Sequence, residues 1–238
     1  MLLLALLLCA SGVDPRVVEA QQLAVHGEEG AALAQLQAVL HDIEASGDSG
    51  SAALHRNIGT LALRTGNAGL AMRHLLSAQR RHPGDDDVAY NLRLVREARA
   101  DRIDTASNSS LGQRLPPAAV RFAAGASLLV VGLLVLMRGW FGLRVPTGLL
   151  ATAAVVVVAC VSLWGARLDF EGQTVSVVMR DTRARESPDA RSAEAKSGFD
   201  VHPGLSGVLL RREGDFEQLR LENGVETWIR AADLLPVR

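Results

Sequence analysis

The chain has 238 residues, 48% of them apolar, 21% charged and only 4% aromatic, with a formal net charge of −1. That length holds one or two small domains, and the near-zero net charge excludes the basic footprint of a nucleic-acid binder. The two cysteines, Cys9 and Cys160, both sit in apolar segments, which excludes a disulfide framework and a zinc cluster. A mean hydropathy of +0.16 beside this many charges implies segregation, and the apolar residues do concentrate in two stretches between residues 120 and 164.

In chain order, the first ten residues are an apolar run too short to span a bilayer, which needs about twenty. The run ends in Ala10, Ser11 and Gly12, small residues of the kind a signal peptidase accepts, so residues 1–12 read as a secretory signal.

Residues 13–100 are expected to be all-α, because Ala, Leu, Gln, Arg and Glu dominate and all are good helix formers. Within residues 52–85 the placement becomes specific: Asn57, Ile58 and Gly59, then Gly66, Ala71, Ala78 and Pro83 fit the roughly 34-residue tetratricopeptide pattern of helix, turn and helix. Gly59 and Ala71 are small where paired helices cross, and Gly66 can take the left-handed turn between them. Ala78 is small where the second helix meets the next repeat, and Pro83 stops that helix. A degenerate copy precedes it, with a turn at residues 26–30 followed by Ala32 and Leu36. A half copy follows, in which Asn91 and Leu92 repeat the step of Asn57 and Ile58. Such repeats need about three copies to close a core, so this unit is expected to lean on a partner or on its own membrane anchor. His55, Ala62 and His74 occupy positions usually held by aromatics; the two histidines read as surface or groove filling, since no metal-ligand spacing accompanies them.

Residues 101–117 form a polar, Ser-rich linker closed by Pro116 and Pro117. Two apolar runs follow, residues 118–138 and 145–165, each near the length of a spanning helix, with Trp140, Phe141 and Trp164 at the run ends as interfacial aromatics. Two spans place both flanking domains on one face of the bilayer. The signal puts that face outside the cytoplasm, in the inner (cytoplasmic) membrane of a bacterium; both flanks lie inside if residues 1–10 are not a signal.

Beyond residue 172 the period changes. Residues 174–179 are β-branched and strand-like, residues 180–196 read as a polar loop, and strands are expected at 207–211, 216–221 and 226–230. Asn223 and Gly224 mark the hairpin between the last two. This order resembles the bacterial SH3 domain, with Arg185 to Pro188 in its first loop, Gly204 to Val208 mid-chain, and Trp228 in its closing strand where Thr227 replaces the usual glycine. The resemblance implies a ligand face made by Arg185, Pro188, Phe216 and Trp228. The fold class is therefore mixed: an N-terminal all-α tetratricopeptide-like solenoid, a transmembrane α-hairpin and a C-terminal small all-β SH3-like barrel over residues 172–238.

No phosphate loop, nucleophile elbow or histidine and carboxylate cluster is present, so neither a catalytic residue nor a cofactor or metal ligand is assigned. Asp85, Asp86 and Asp87 read as a helix start favoured by the helix dipole.

Signal, repeats, double span and barrel in this order resemble the BatE family of the aerotolerance (bat) operon. The resemblance implies neighbours in the envelope, namely membrane proteins with von Willebrand factor A domains and a MoxR-type ATPase. It points to a membrane-held adaptor for protein partners; the alternative is a cell-wall protein whose SH3-like domain binds peptidoglycan stem peptides.

Overall fold

A computed structural model of the chain describes residues 14–99, 101, 117–140, 146–188 and 198–237. The expected signal, most of the linker, the loop at 141–145 and the segment 189–197 lie outside the described residues.

Helices α1 (Pro15–Val25), α2 (Glu29–Ala45), α3 (Ala52–Arg64), α4 (Ala68–Arg81) and α5 (Asp86–Ala98) follow one another. Four of their starts carry a side-chain cap. Asp14 accepts from the Arg16 N–H ahead of Pro15, Ser51 from Leu54, Asn67 from Leu70, and Asp85 from both Asp87 and Val88. Each cap satisfies a backbone donor that the first helical turn leaves open. Gly66 holds φ at +77° between α3 and α4, a conformation that side chains with a Cβ disfavour. The two helices cross where a Cβ on Gly59 would stand 2.7 Å from Leu75 Cγ. Ala71 and Ala78 are fully buried beside Ile58, Leu75 and Leu92. Neighbouring helices pack in sequence, and α3 also touches α5, so the helices form successive hairpins with a shared core.

The C-terminal residues form a seven-stranded antiparallel sheet among the described residues: β1 (Val175–Val178), β2 (Thr182–Arg185), β3 (Gly198–Val201), β4 (Ser206–Glu213), β5 (Phe216–Leu221), β6 (Glu226–Arg230) and β7 (Leu234–Pro236). The strand order is β3-β2-β6-β5-β4-β1-β7. Val178, Ala184, Val201, Leu219, Leu221, Ile229 and Leu234 make its core. β1, β4, β5 and β6 match the sequence reading to within two residues. β2 does not: it arises inside what the sequence presents as a polar loop, because the Thr182–Arg185 backbone finds partners in β3 and, at Arg185, in β6.

The helices and the sheet belong to one compact unit rather than two. Val177 and Val237 of the sheet are buried in the same apolar cluster as Leu75, Val88, Leu92 and Val95 of the helices. β1 lies so near α4 that a Cβ on Gly69 would stand 2.9 Å from the Val178 carbonyl oxygen. The cover that the sequence reading sought for these helices in a partner or a membrane anchor is thus supplied by the chain's own C-terminal sheet.

The second unit, residues 107–173, contains α6 (Pro117–Gly139) and α7 (Thr147–Gly172), packed against each other. Ala118–Gly139 and Thr147–Ala166 are long and apolar enough to cross a membrane, with mean hydropathies of 2.2 and 2.3. Most of their large side chains are exposed, Phe122 at 79% and Leu129 at 76%, whereas Val120 is buried.

Candidate interaction surfaces

Antiparallel pairing decides which sheet side chains share a face. Arg185 lies opposite Trp228, Trp228 opposite Gln218, and Gln218 opposite Arg211, a row across β2, β6, β5 and β4. Residues directly opposite point to the same side, so these four project together from the face opposite Leu219 and Ile229. Phe216, two residues from Gln218, joins them. The Arg185 guanidinium carbon stands 5.1 Å from the centre of the Phe216 ring, and that of Arg211 stands 4.8 Å from the Trp228 ring. Both are within cation–π range. Trp228 is only 3% exposed although it lies on the outer side of the sheet, beneath Arg211. Arg211 Nε also donates to Gln218 Oε1 at 2.8 Å.

Of the four ligand-face residues expected from sequence, the structure brings Arg185, Phe216 and Trp228 into one cluster; Pro188 lies past the end of β2, half-buried. Arg211 and Gln218 join the cluster unannounced by the sequence. A register shift in β4 between Leu209 and Arg211 turns Arg211 to this face.

Four other arginines of this region have a carboxylate partner. Arg220 pairs with Glu226 at 2.9 Å, Arg230 and Arg180 both with Asp233, and Arg212 lies 4.0 Å from Glu217.

On the helices, Asn91 Nδ2 donates to Thr60 Oγ1 at 2.9 Å and Arg56 pairs with Asp85 at 2.9 Å, so each ties α5 or its cap to α3. Asn57 is half-buried on α3. Ile58, Gly59, Ala71 and Ala78 are buried packing positions, and Gly66 and Pro83 are turn residues. Partial burial would raise the Asp85 carboxyl, but hydrogen bonds from Val88 and Asp87 and the neighbouring Arg56 hold it below the usual range.

The two repeat histidines are neither surface nor groove residues. His55 and His74 are each 2% exposed and stack with ring centres 5.1 Å apart. Their Nδ1 atoms are 2.9 Å apart, and His55 Nε2 lies 2.8 Å from the Ser49 carbonyl oxygen. A carbonyl only accepts, so His55 carries its proton on Nε2 and accepts at Nδ1 from the Nδ1–H of His74. Burial favours this neutral pair: it pushes His55 down, with Arg81 and Arg73 adding to the effect, and pushes His74 down to about 3. The spacing of α3 and α4 places the rings face to face, which no local motif announces.

At the junction of helices and sheet, Glu222 accepts from Arg96 Nε at 3.4 Å, from Arg99 Nη2 at 3.1 Å and from Ser206 Oγ at 3.0 Å. Asp101 accepts from the His202 backbone N–H at 2.7 Å and lies 2.8 Å from its Nδ1. Those contacts with Asp101 raise the His202 pKa above its ordinary value. A shallow cleft beside this junction is lined by Asn67, Arg99, Met179, Asp181 and His202 among others. Among the described residues no group of three or more histidine, cysteine or acidic side chains is arranged to hold a metal ion.

No protein-family model matches this sequence, and no curated protein and no solved structure matches it.

Proposed function

We propose that the chain is a membrane-anchored adaptor, a tetratricopeptide-like helical array and an SH3-like sheet held together on one side of a bilayer to bind protein partners. One observation carries this reading. Residues from both sides of the apolar pair fold into a single unit, so any membrane crossed by α6 and α7 must have both flanks on the same face. Helical hairpins of this kind stack into extended binding surfaces, and the outer sheet face adds a second, chemically distinct one. The BatE-like order of elements supports an envelope setting with von Willebrand A-type membrane proteins and a MoxR-type ATPase as partners, with both flanks outside the cytoplasm.

Cross-linking in intact membranes, followed by identification of the captured proteins, tests the reading. Recovery of an envelope protein with a von Willebrand-type domain supports it; recovery of none sinks it. A reporter active only outside the cytoplasm, fused after Arg238, tests the topology, and a silent fusion reverses it.

The clustering of Arg185, Phe216 and Trp228 on one face favours a second reading, in which the sheet holds peptidoglycan stem peptides. Co-sedimentation of the full chain with peptidoglycan at low salt distinguishes it from the adaptor.

A further inference from the structure

We infer that the outer face of β2, β6, β5 and β4 is a binding site for an acidic peptide segment of a partner protein, with Arg185 and Arg211 as its two anion anchors and Phe216, Trp228 and Gln218 as their support. The inference rests on the adaptor reading and names the chemistry of what the adaptor holds.

The two arginines differ from their neighbours. Arg220, Arg230, Arg180 and Arg212 each have a carboxylate within 4.0 Å. Arg185 and Arg211 have none among the described residues; each lies over an aromatic ring. Glu226 on the same face is already engaged by Arg220 and Gln218. Glu213, opposite Phe216 at the hairpin end, and Asp200, opposite Arg183 at the β3 edge, are the other acids in register on this face among the described residues. Among the described residues, therefore, no acid of this face pairs with Arg185 or Arg211.

The geometry also gives the two heads a direction. Arg211 starts on β4 and reaches across β5 to Trp228 on β6, while Arg185 starts on β2 and reaches across β6 to Phe216 on β5. Both guanidinium groups thus lie over rings carried by the two central strands, β6 and β5. A guanidinium stacked on a ring uses its flat face and leaves its in-plane N–H donors directed outward, the arrangement that takes a carboxylate in a two-pronged bond. Stacking also holds the fork in place before a ligand arrives, which lowers the entropy lost on binding. Gln218, bonded to Arg211 Nε at 2.8 Å, fixes the rotation of that head.

Two cations held over rings of adjacent strands call for two anionic groups within a few residues of each other. Consecutive or alternate Asp and Glu side chains of a protein segment meet that requirement, and an isolated chain-end carboxylate does not.

The test uses the full chain in uncharged detergent micelles, titrated calorimetrically with a terminally blocked hexaglutamate peptide and, separately, with hexaglutamine. Hexaglutamate is expected to bind, more weakly at higher salt, and hexaglutamine not to bind. Arg185→Gln and Arg211→Gln are each expected to weaken binding about tenfold, the loss of one charge-assisted contact. Arg220→Gln, on the same face but paired with Glu226, is expected to change it less than twofold. Arg211→Lys keeps the charge and loses the stacked fork, so an intermediate affinity is expected from a variant that preserves the fold. Equal binding of hexaglutamine, unchanged binding in both glutamine variants, or displacement by equimolar inorganic phosphate overturns the inference. So does binding of soluble peptidoglycan fragments in place of hexaglutamate. If the double variant Arg185→Gln/Arg211→Gln still cross-links the same envelope partner with undiminished yield, the adaptor reading stands and this site falls.

Discussion

The compact unit and the apolar helix pair are both rich in leucine, valine and alanine, yet they place these residues oppositely. In the compact unit Leu75, Leu92 and Ile58 are fully buried, whereas in the helix pair Phe122, Leu129 and Val155 are 79%, 76% and 68% exposed. The difference lies in what accompanies the apolar residues. Helices α3, α4 and α5 interleave them with Arg, Asn, Asp and Gln, so a wet face and a dry face coexist and water drives the dry faces together. α6 and α7 are apolar around most of their circumference and have no wet face to offer. Hydrocarbon rather than protein is the medium that suits such a surface.

Removing the acid at the helix–sheet junction is expected to have the largest effect on this contrast. Arg99 is 4% exposed and its carboxylate is Glu222. Glu222→Ala removes a carboxylate shared by the buried Arg99, Arg96 and Ser206 and is expected to destabilise the compact unit by about 3 kcal/mol. Urea titration of the full chain in micelles reads this directly, and the melting of α6 and α7 should not move with it.

Next comes a substitution that separates water from hydrocarbon. At an exposed site on a water-facing helix, Val155→Arg would change stability by about 0.5 kcal/mol or less. In a bilayer it is expected to disfavour insertion by about 2.5–3.5 kcal/mol, and a membrane-integration assay of α7 distinguishes the two. The crossing of α3 and α4 has no such latitude. With a Cβ on Gly59 already at 2.7 Å from Leu75 Cγ, Gly59→Leu is expected to overpack that crossing at a cost of about 3 kcal/mol, seen as a lower thermal midpoint by circular dichroism.

A smaller effect follows from pH. The ordinary histidine value of 6.5 applies to His74 in the unfolded chain, whereas burial pushes it down to about 3 in the fold. The unfolded state therefore binds the proton first: stability is complete above about pH 6.5 and falls as pH drops toward 3. The loss is about 2 kcal/mol at pH 5. Urea midpoints at pH 7 and pH 5 measure it, and His55→Leu/His74→Leu should flatten the profile. Smallest is Val177→Ala, which removes two methyl groups from the patch of sheet buried among the helices; about 1.5 kcal/mol is expected, checked by the same titration.

Much of the helical half was legible because its signals are local. The helix start at Asp85, the left-handed Gly66 and the small Gly59 all act within one or two turns of their own position. In the sheet, β5 and β6 were legible for the same reason, through alternation and the Asn223–Gly224 turn. β2 was not, because Thr182, Arg183 and Arg185 surround a single buried residue, Ala184, and become a strand only by pairing with β3. Three of the four expected ligand-face residues meet, but Arg211 was invisible, since a one-residue register shift decides which way it points. The stacked histidines were misplaced in the same manner: nineteen residues apart, they meet only when α3 and α4 fold back on each other.

Residue pattern alone was enough for the helices, for four of the seven strands and for two helices apolar enough for a membrane, because turns and periodicity are short-range physics. Tertiary structure alone decided that the sheet completes the core of the helices, that His55 and His74 share a buried hydrogen bond, and that Glu222 meets Arg99 across 123 residues of chain. Those outcomes depend on which surfaces bury each other once the chain returns from the apolar pair, and burial free energy is a property of the assembled surfaces that no single stretch of sequence carries.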